Sequence, residues 1–239
     1  MKTLYLHTGF PKTGSSFLQT VFARNTNFMA DCYDLAYIQP NSATHERAEA
    51  GRISSGNGDW MVGRIASGMG VSDAIAPYLA TDHSGSLISN ENLTKLTAEQ
   101  HDQIRHEAMS QGFRVHAIAF TRDPFELAIS GYLQNVKRGI ISMPFEQWSS
   151  RFRYDHDRFA ATLGTVFEKT TIADYSEHKD TLATAFFDAL GFARQEIPDV
   201  PPIIVNRSIS AEECDFLLKL NSQHKTKSIA RVVSDHLVE

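Results

Sequence analysis

Thr3-Leu4-Tyr5-Leu6-His7-Thr8-Gly9-Phe10-Pro11-Lys12-Thr13-Gly14-Ser15-Ser16-Phe17-Leu18 passes from a short apolar run, through a Gly/Pro turn, into a helical pattern. Residues 3–8 favour a strand. Phe17, Leu18, Val21 and Phe22 then fall on one helical face. Gly9 and Gly14 bracket four residues and are followed by two hydroxyls, the skeleton of a phosphate loop of the form Gly-x4-Gly-Lys-Ser/Thr. Ser15 stands where that form has its lysine, and the lysine, Lys12, lies inside the loop. Backbone N–H groups at a helix N-terminus bind an anion whatever the side chains. Moving the lysine changes where its charge falls: Lys12 can reach the bridging oxygen of a donor, the atom that gains charge as the transferred group leaves.

Outward from this loop, the chain alternates strands and helices. Gly85–Ser89 reads as a second strand ending in Asn90-Glu91-Asn92. Thr97-Ala98-Glu99-Gln100 reads as a capping box opening a helix that Gly112 closes. Residues 113–120 are nearly continuous apolar sequence, as in a strand buried on both faces of a parallel sheet. That run stops at Thr121-Arg122-Asp123-Pro124, and a helix follows to about Val136, with Pro124 in its first turn. Residues 145–167 look helical with breaks, 170–175 form a weaker fourth strand, and His178–Leu190 is an amphipathic helix closed by Gly191. Pro198–Pro202 reads as a connector, and Ser210-Ala211-Glu212-Glu213 opens a C-terminal helical segment within 203–239. Residues 25–80 give little signal beyond a turn at Ser54–Asp59. The expected architecture is α/β, a three-layer sandwich around a central parallel sheet, forming one domain over 1–239. In such a sheet, ligands sit beyond the carboxyl ends of the strands.

The bulk numbers restrict the partners. The chain has 239 residues, 42% hydrophobic and 21% charged, with a formal net charge of -5. That balance gives no general attraction to nucleic acid or an anionic membrane, so an anion site must be local. Cys32 and Cys214 make no metal spacing and no disulfide framework, and read as independent core thiols. The first residues lack a signal-peptide pattern, and no stretch approaches the roughly 20 apolar residues of a membrane span. A cytoplasmic setting, no nucleic acid, no metal and no transmembrane segment are therefore expected.

A second anion motif follows the third strand. Arg122 leaves it at the rim, and Ser130 comes about two helical turns later. Together they offer a guanidinium fork and a hydroxyl.

Gly9 to Gln19 resembles the 5′-phosphosulfate loop of the sulfotransferases that use 3′-phosphoadenosine 5′-phosphosulfate (PAPS), especially the bacterial and carbohydrate-modifying branch. The usual form there is Pro-Lys-Thr-Gly-Thr-Thr-x-Leu-Gln, so Ser15-Ser16 departs from it and keeps both hydroxyls. Arg122, Pro124, Ser130 and Tyr132 likewise resemble that family's 3′-phosphate motif, Arg-x-Pro-x5-Ser-x-Tyr. Asn206-Arg207-Ser208 echoes a C-terminal loop of the family. The resemblance implies a P-loop sulfotransferase fold and transfer of a sulfuryl group to a hydroxyl or amine of a carbohydrate, lipid or small molecule. It implies that Pro11, Lys12, Thr13, Gly14, Ser15 and Ser16 hold the 5′-phosphate and that Arg122, Ser130 and Arg207 hold the 3′-phosphate. Lys12 would neutralise the leaving oxygen, with 3′-phosphoadenosine 5′-phosphate (PAP) as product.

Glu91, just beyond the second strand, is the first candidate for the base that deprotonates the acceptor, with His7 and His83 as alternatives. Residues 25–80 would wall the acceptor pocket, where Trp60, Tyr33 and Tyr37 serve either as stacking groups or as core. Two other readings of the same loop are a P-loop kinase, against which the displaced lysine argues, and a nucleotide-binding protein without catalysis.

Overall fold

The computed structural model describes residues 1–50, 54–191, 208–223 and 232–233. The chain divides into two compact units, Met1–Thr121 with Asp155–Val205, and Arg122–Tyr154 with Asn206–Glu239.

The first unit holds a five-stranded, all-parallel sheet. Its elements are β1 Lys2–His7, α1 Ser15–Arg24, α2 Thr26–Tyr33, β2 Leu35–Ala36, α3 Ser42–Glu49, α4 Asp59–Ala66, α5 Val71–Leu79 and β3 Gly85–Ser89. A 3-10 turn Glu91–Lys95, α6 Ala98–Ser110 and β4 Phe113–Thr121 follow. The chain then contributes α7 Pro124–Lys137 and α8 Phe145–Ser149 to the second unit. It returns with α9 His156–Val166, β5 Lys169–Asp174, α10 Tyr175–His178 and α11 Leu182–Leu190, and α12 Ala211–Gln223 completes the second unit. Strand order is β2-β3-β1-β4-β5.

The period-two alternation of buried strands sorts side chains onto two covered faces. Leu4, Leu6, Ile88, Val115, Ala117 and Ala119 enter one core, where Met61 and Ile65 of α4, Ile75 and Tyr78 of α5, and Ile104 of α6 meet them. Tyr5, Leu87, Ile118 and Phe120 enter the other, with Leu18 and Phe22 of α1, Met29 of α2 and Phe186 of α11. The four strands read from sequence are present. The fifth, β2, is two residues long, too short for periodicity to reveal, and pairs only with Gly85 and Ser86 of β3. Residues 25–80 thus supply an edge strand and a large share of both cores. Both capping boxes form: Thr97 and Gln100 bond reciprocally, as do Ser210 and Glu213.

In the second unit, Tyr132 and Val136 of α7 pack with Ile209, Cys214 and Leu217. Asn221 Nδ2 closes the C-terminus of α7 by donating to the carbonyls of Val136 and Ile141, each at 2.9 Å. Cys214 is buried as expected, but Cys32 is exposed: it falls on the outer face of the short helix α2, whose buried residues are Met29 and Tyr33. No described helix is long and apolar enough to cross a membrane.

The sheet unit buries imidazoles in the neutral state. Burial lowers His7 to about 3, and His116 and His156 to about 4, from an ordinary 6.5; it also lowers His101. Between 6.5 and 4 the unfolded chain takes up protons that the fold refuses, so stability falls as the pH drops through that window. Each histidine contributes a slope of at most about 1.4 kcal/mol per pH unit. The midpoint of thermal unfolding, followed by circular dichroism, is expected to be clearly lower at pH 5 than at pH 7. Equal midpoints would show that these rings are solvated.

Candidate functional site

The geometry of the site follows from strand order. β1 leads into α1, which packs in one core, whereas its neighbour β3 leads through the 3-10 turn into α6, which packs in the other. Chains that leave adjacent strands toward opposite faces open a crevice at the carboxyl ends. His7 and Ser89 are level in the ladder, and Asn90 N–H extends it by donating to the His7 carbonyl at 3.1 Å. Residues 9–14 and Glu91 therefore emerge side by side.

The loop is tightly built. Lys12 lies at φ 69 and Gly14 at φ 76, both left-handed. Only glycine adopts that conformation without steric cost, so Lys12 is strained where Gly14 is not. A Cβ on Gly14 would also stand 2.4 Å from Leu182 Cδ2 and 2.9 Å from Tyr175 Cε2. Gly9 is constrained by close approach instead: a Cβ there would fall 2.0 Å from Ser15 Oγ and 3.6 Å from Glu91 Cγ. The second of these distances places Glu91 beside the loop.

Thr13 is fully buried, and its hydroxyl donates to the Phe10 carbonyl at 2.7 Å. What it offers a ligand is its backbone N–H. Gly14 caps α1 with no side-chain hydrogen bond, so no side chain from the cap position covers the first-turn N–H groups. Ser15 Oγ is buried with no hydrogen-bond partner among the described residues, a donor suited to an anion held in the loop. Ser16 and Lys12 are half-buried, and Pro11 is exposed at the tip. A glycine cradle, a helix N-terminus without a side-chain cap and an orphaned hydroxyl together fit a phosphate group.

A buried polar layer supports the rim. His7 Nδ1 and Ser89 Oγ are hydrogen-bonded at 2.8 Å, and Gln19 Nε2 donates to the same hydroxyl at 3.4 Å. Asn57 is 1% exposed. Its Nδ2 donates to the carbonyls of Leu87 at 2.7 Å and Ile38 at 2.9 Å, and its Oδ1 accepts from Ser89 N–H at 2.7 Å. β2 ends level with Ser86, so this side-chain amide continues the pairing of β3 as a further strand would. Asn90 accepts from Asn92 N–H at 2.6 Å, fixing the turn that carries Glu91.

The alternative bases separate cleanly. His7 is fully buried and held at about 3, a neutral part of the core. His83 precedes β3 and pairs with Asp34 at 2.8 Å. It thus lies at the amino end of a strand that runs parallel to β1, on the opposite rim from the loop, and the sequence expectation that placed it near the site is corrected. Tyr33 and Tyr37 are core: Tyr33 stacks on Phe187, and Tyr37 Oη accepts from Asn57 N–H at 3.3 Å. Trp60 is half-buried, with the Arg64 guanidinium 5.5 Å from its ring centroid.

In the second unit, Arg122 folds back along α7, and its Nε and Nη2 both lie 3.3 Å from Glu126 Oε2. Asp123 Oδ1 caps α7 by accepting from Phe125 and Glu126 N–H, each at 2.9 Å, which explains the acid beside Arg122. Ser130 is 8% exposed, and Tyr132 Oη donates to the Met143 carbonyl at 3.0 Å. Arg207, with Pro198–Pro202, lies outside the described residues. Among the described residues, no group of three or more His, Cys, Asp or Glu side chains is arranged to hold a metal ion.

Asn57 and the aromatic neighbours of the loop gave no sign in the sequence. Each acts on a residue far along the chain, and no local pattern encodes such a partner. A scan against protein-family models and a search of curated proteins find no match to this chain.

Proposed function

We propose that this chain is a PAPS-dependent sulfotransferase with the P-loop sulfotransferase fold. The observation that carries the reading is the nearness of Glu91 to Gly9, its Cγ 3.6 Å from where a Cβ on Gly9 would stand: a lysine-bearing loop at the N-terminus of α1 lies beside a carboxylate from the turn that follows the neighbouring strand. The loop offers backbone N–H groups at Thr13, Gly14, Ser15 and Ser16 to the 5′-phosphate, while Pro11 shapes its tip. Arg122, Ser130 and Arg207 are assigned to the 3′-phosphate. For Arg122 this requires the ligand to share or replace the Glu126 carboxylate, with which it forms a part-buried pair. Bound in this way, PAPS would supply the sulfuryl group and a stable phosphate leaving group.

The residues then divide the work of an in-line transfer. Glu91 takes the proton from the acceptor hydroxyl or amine as that atom bonds to sulfur. Lys12 stabilises the charge left on the phosphate oxygen as the old sulfur–oxygen bond breaks. The acceptor is a carbohydrate, lipid or small molecule.

Calorimetry with PAP, followed by a transfer assay from PAPS over an acceptor panel, tests the proposal. Binding and turnover are the expected results, with Glu91→Gln slowing transfer about a hundredfold or more, as loss of a general base does. Binding without transfer to any acceptor would favour a non-catalytic nucleotide-binding protein. Mg²⁺-dependent ATP binding in place of PAP binding would favour a kinase.

A further inference from the structure

The Phe10 ring stacks on the His156 imidazole, with centroids 3.8 Å apart and planes at 27°. Phe159, one helical turn further along α9, meets the same ring edge-on at 5.1 Å. Phe10 is the first residue between the two loop glycines, and its carbonyl is the acceptor that fixes Thr13. The left-handed Lys12 and Gly14 follow within the same loop. A loop of converging N–H groups repels itself when no anion is present, and left-handed backbone at a non-glycine residue persists only where surrounding structure over-determines it. Contacts within the unit supply that constraint: Leu182 and Tyr175 abut Gly14, and His156 and Phe159 pack on Phe10. His156 is 5% exposed, and burial keeps its ring neutral, so it stacks as a planar aromatic group and adds no charge to the loop. It is the second residue after the chain re-enters the sheet unit at Asp155.

We infer that His156 is a positioning residue of the anion loop, acting through Phe10 to hold residues 12–16 in their ligand-binding conformation before a ligand arrives. This rests on reading the loop as the PAPS site, and its test has one readout that does not depend on that reading. In full-length His156→Ala, amide hydrogen exchange at Thr13, Ser15 and Ser16 is expected to accelerate while β1 and β4 keep wild-type protection. PAP affinity and kcat are expected to fall about tenfold or more, since small misplacements at a site cost one to two orders of magnitude. His156→Phe, which keeps a planar ring, should restore both. Wild-type exchange at these amides in His156→Ala would overturn the inference, as would a His156→Phe variant as impaired as His156→Ala. If the wild-type chain binds no PAP, the sulfotransferase reading fails and the exchange result alone decides the role of His156. Should His156→Ala not fold, Phe10→Leu removes the stack from the loop side and is read in the same way.

Discussion

Lys12→Ala is expected to lower sulfuryl transfer about 10²–10³-fold, the usual cost of removing one group that stabilises developing charge in a transition state. Thermal stability should stay close to wild type. Lysine and alanine both carry a Cβ and pay the same steric cost at φ 69, so the exchange removes charge without changing backbone strain. Lys12→Gly sharpens the test. Glycine relieves the left-handed conformation, so this variant should unfold at the same or a slightly higher temperature and yet be as inactive as Lys12→Ala. Stability that rises while activity collapses marks strain kept for function. Steady-state rates beside unfolding curves for the three proteins provide the check. Full turnover in Lys12→Ala would remove the lysine from the chemistry.

Asn57→Ala is expected to have the largest effect on folding, about 3–5 kcal/mol by urea denaturation. It strands the buried Leu87 carbonyl and Ser89 N–H, at about 1–3 kcal/mol for each unsatisfied group, and removes a further bond to the part-buried Ile38 carbonyl. Asn57→Asp offers no rescue, because it points a carboxylate oxygen at two carbonyls that need donors. The loss should also reach the site. Ser89 is two residues before Glu91, so freeing the end of β3 loosens the turn that carries it, and residual activity should fall further than the unfolded fraction explains. A cost below about 1 kcal/mol would mean that water replaces the amide without penalty.

The core strands were legible because burial on both sheet faces leaves unbroken apolar runs, as at 113–120. The loop was legible because glycine spacing is a local property. β2 escaped notice, since two residues carry no period, and its neighbour Asn57 looked like part of an ordinary turn. His83 precedes Gly85 and so stands at the amino end of β3, and the parallel register of β1 and β3 puts that end on the rim opposite the loop. Cys32 was taken for a core thiol on residue type alone, although α2 turns it outward.

The sequence by itself determined the alternation of strand and helix, the glycine loop with its displaced lysine, and both capping boxes. All of these depend on residues within a few positions of one another, where backbone geometry and hydrogen bonding act directly. Only the tertiary structure decided that Glu91 lies beside Gly9, that Asn57 finishes the edge of β3 and that His156 stacks on Phe10. Those pairings join residues from 32 to 146 positions apart, and only the order and direction of strands in the sheet bring such residues together.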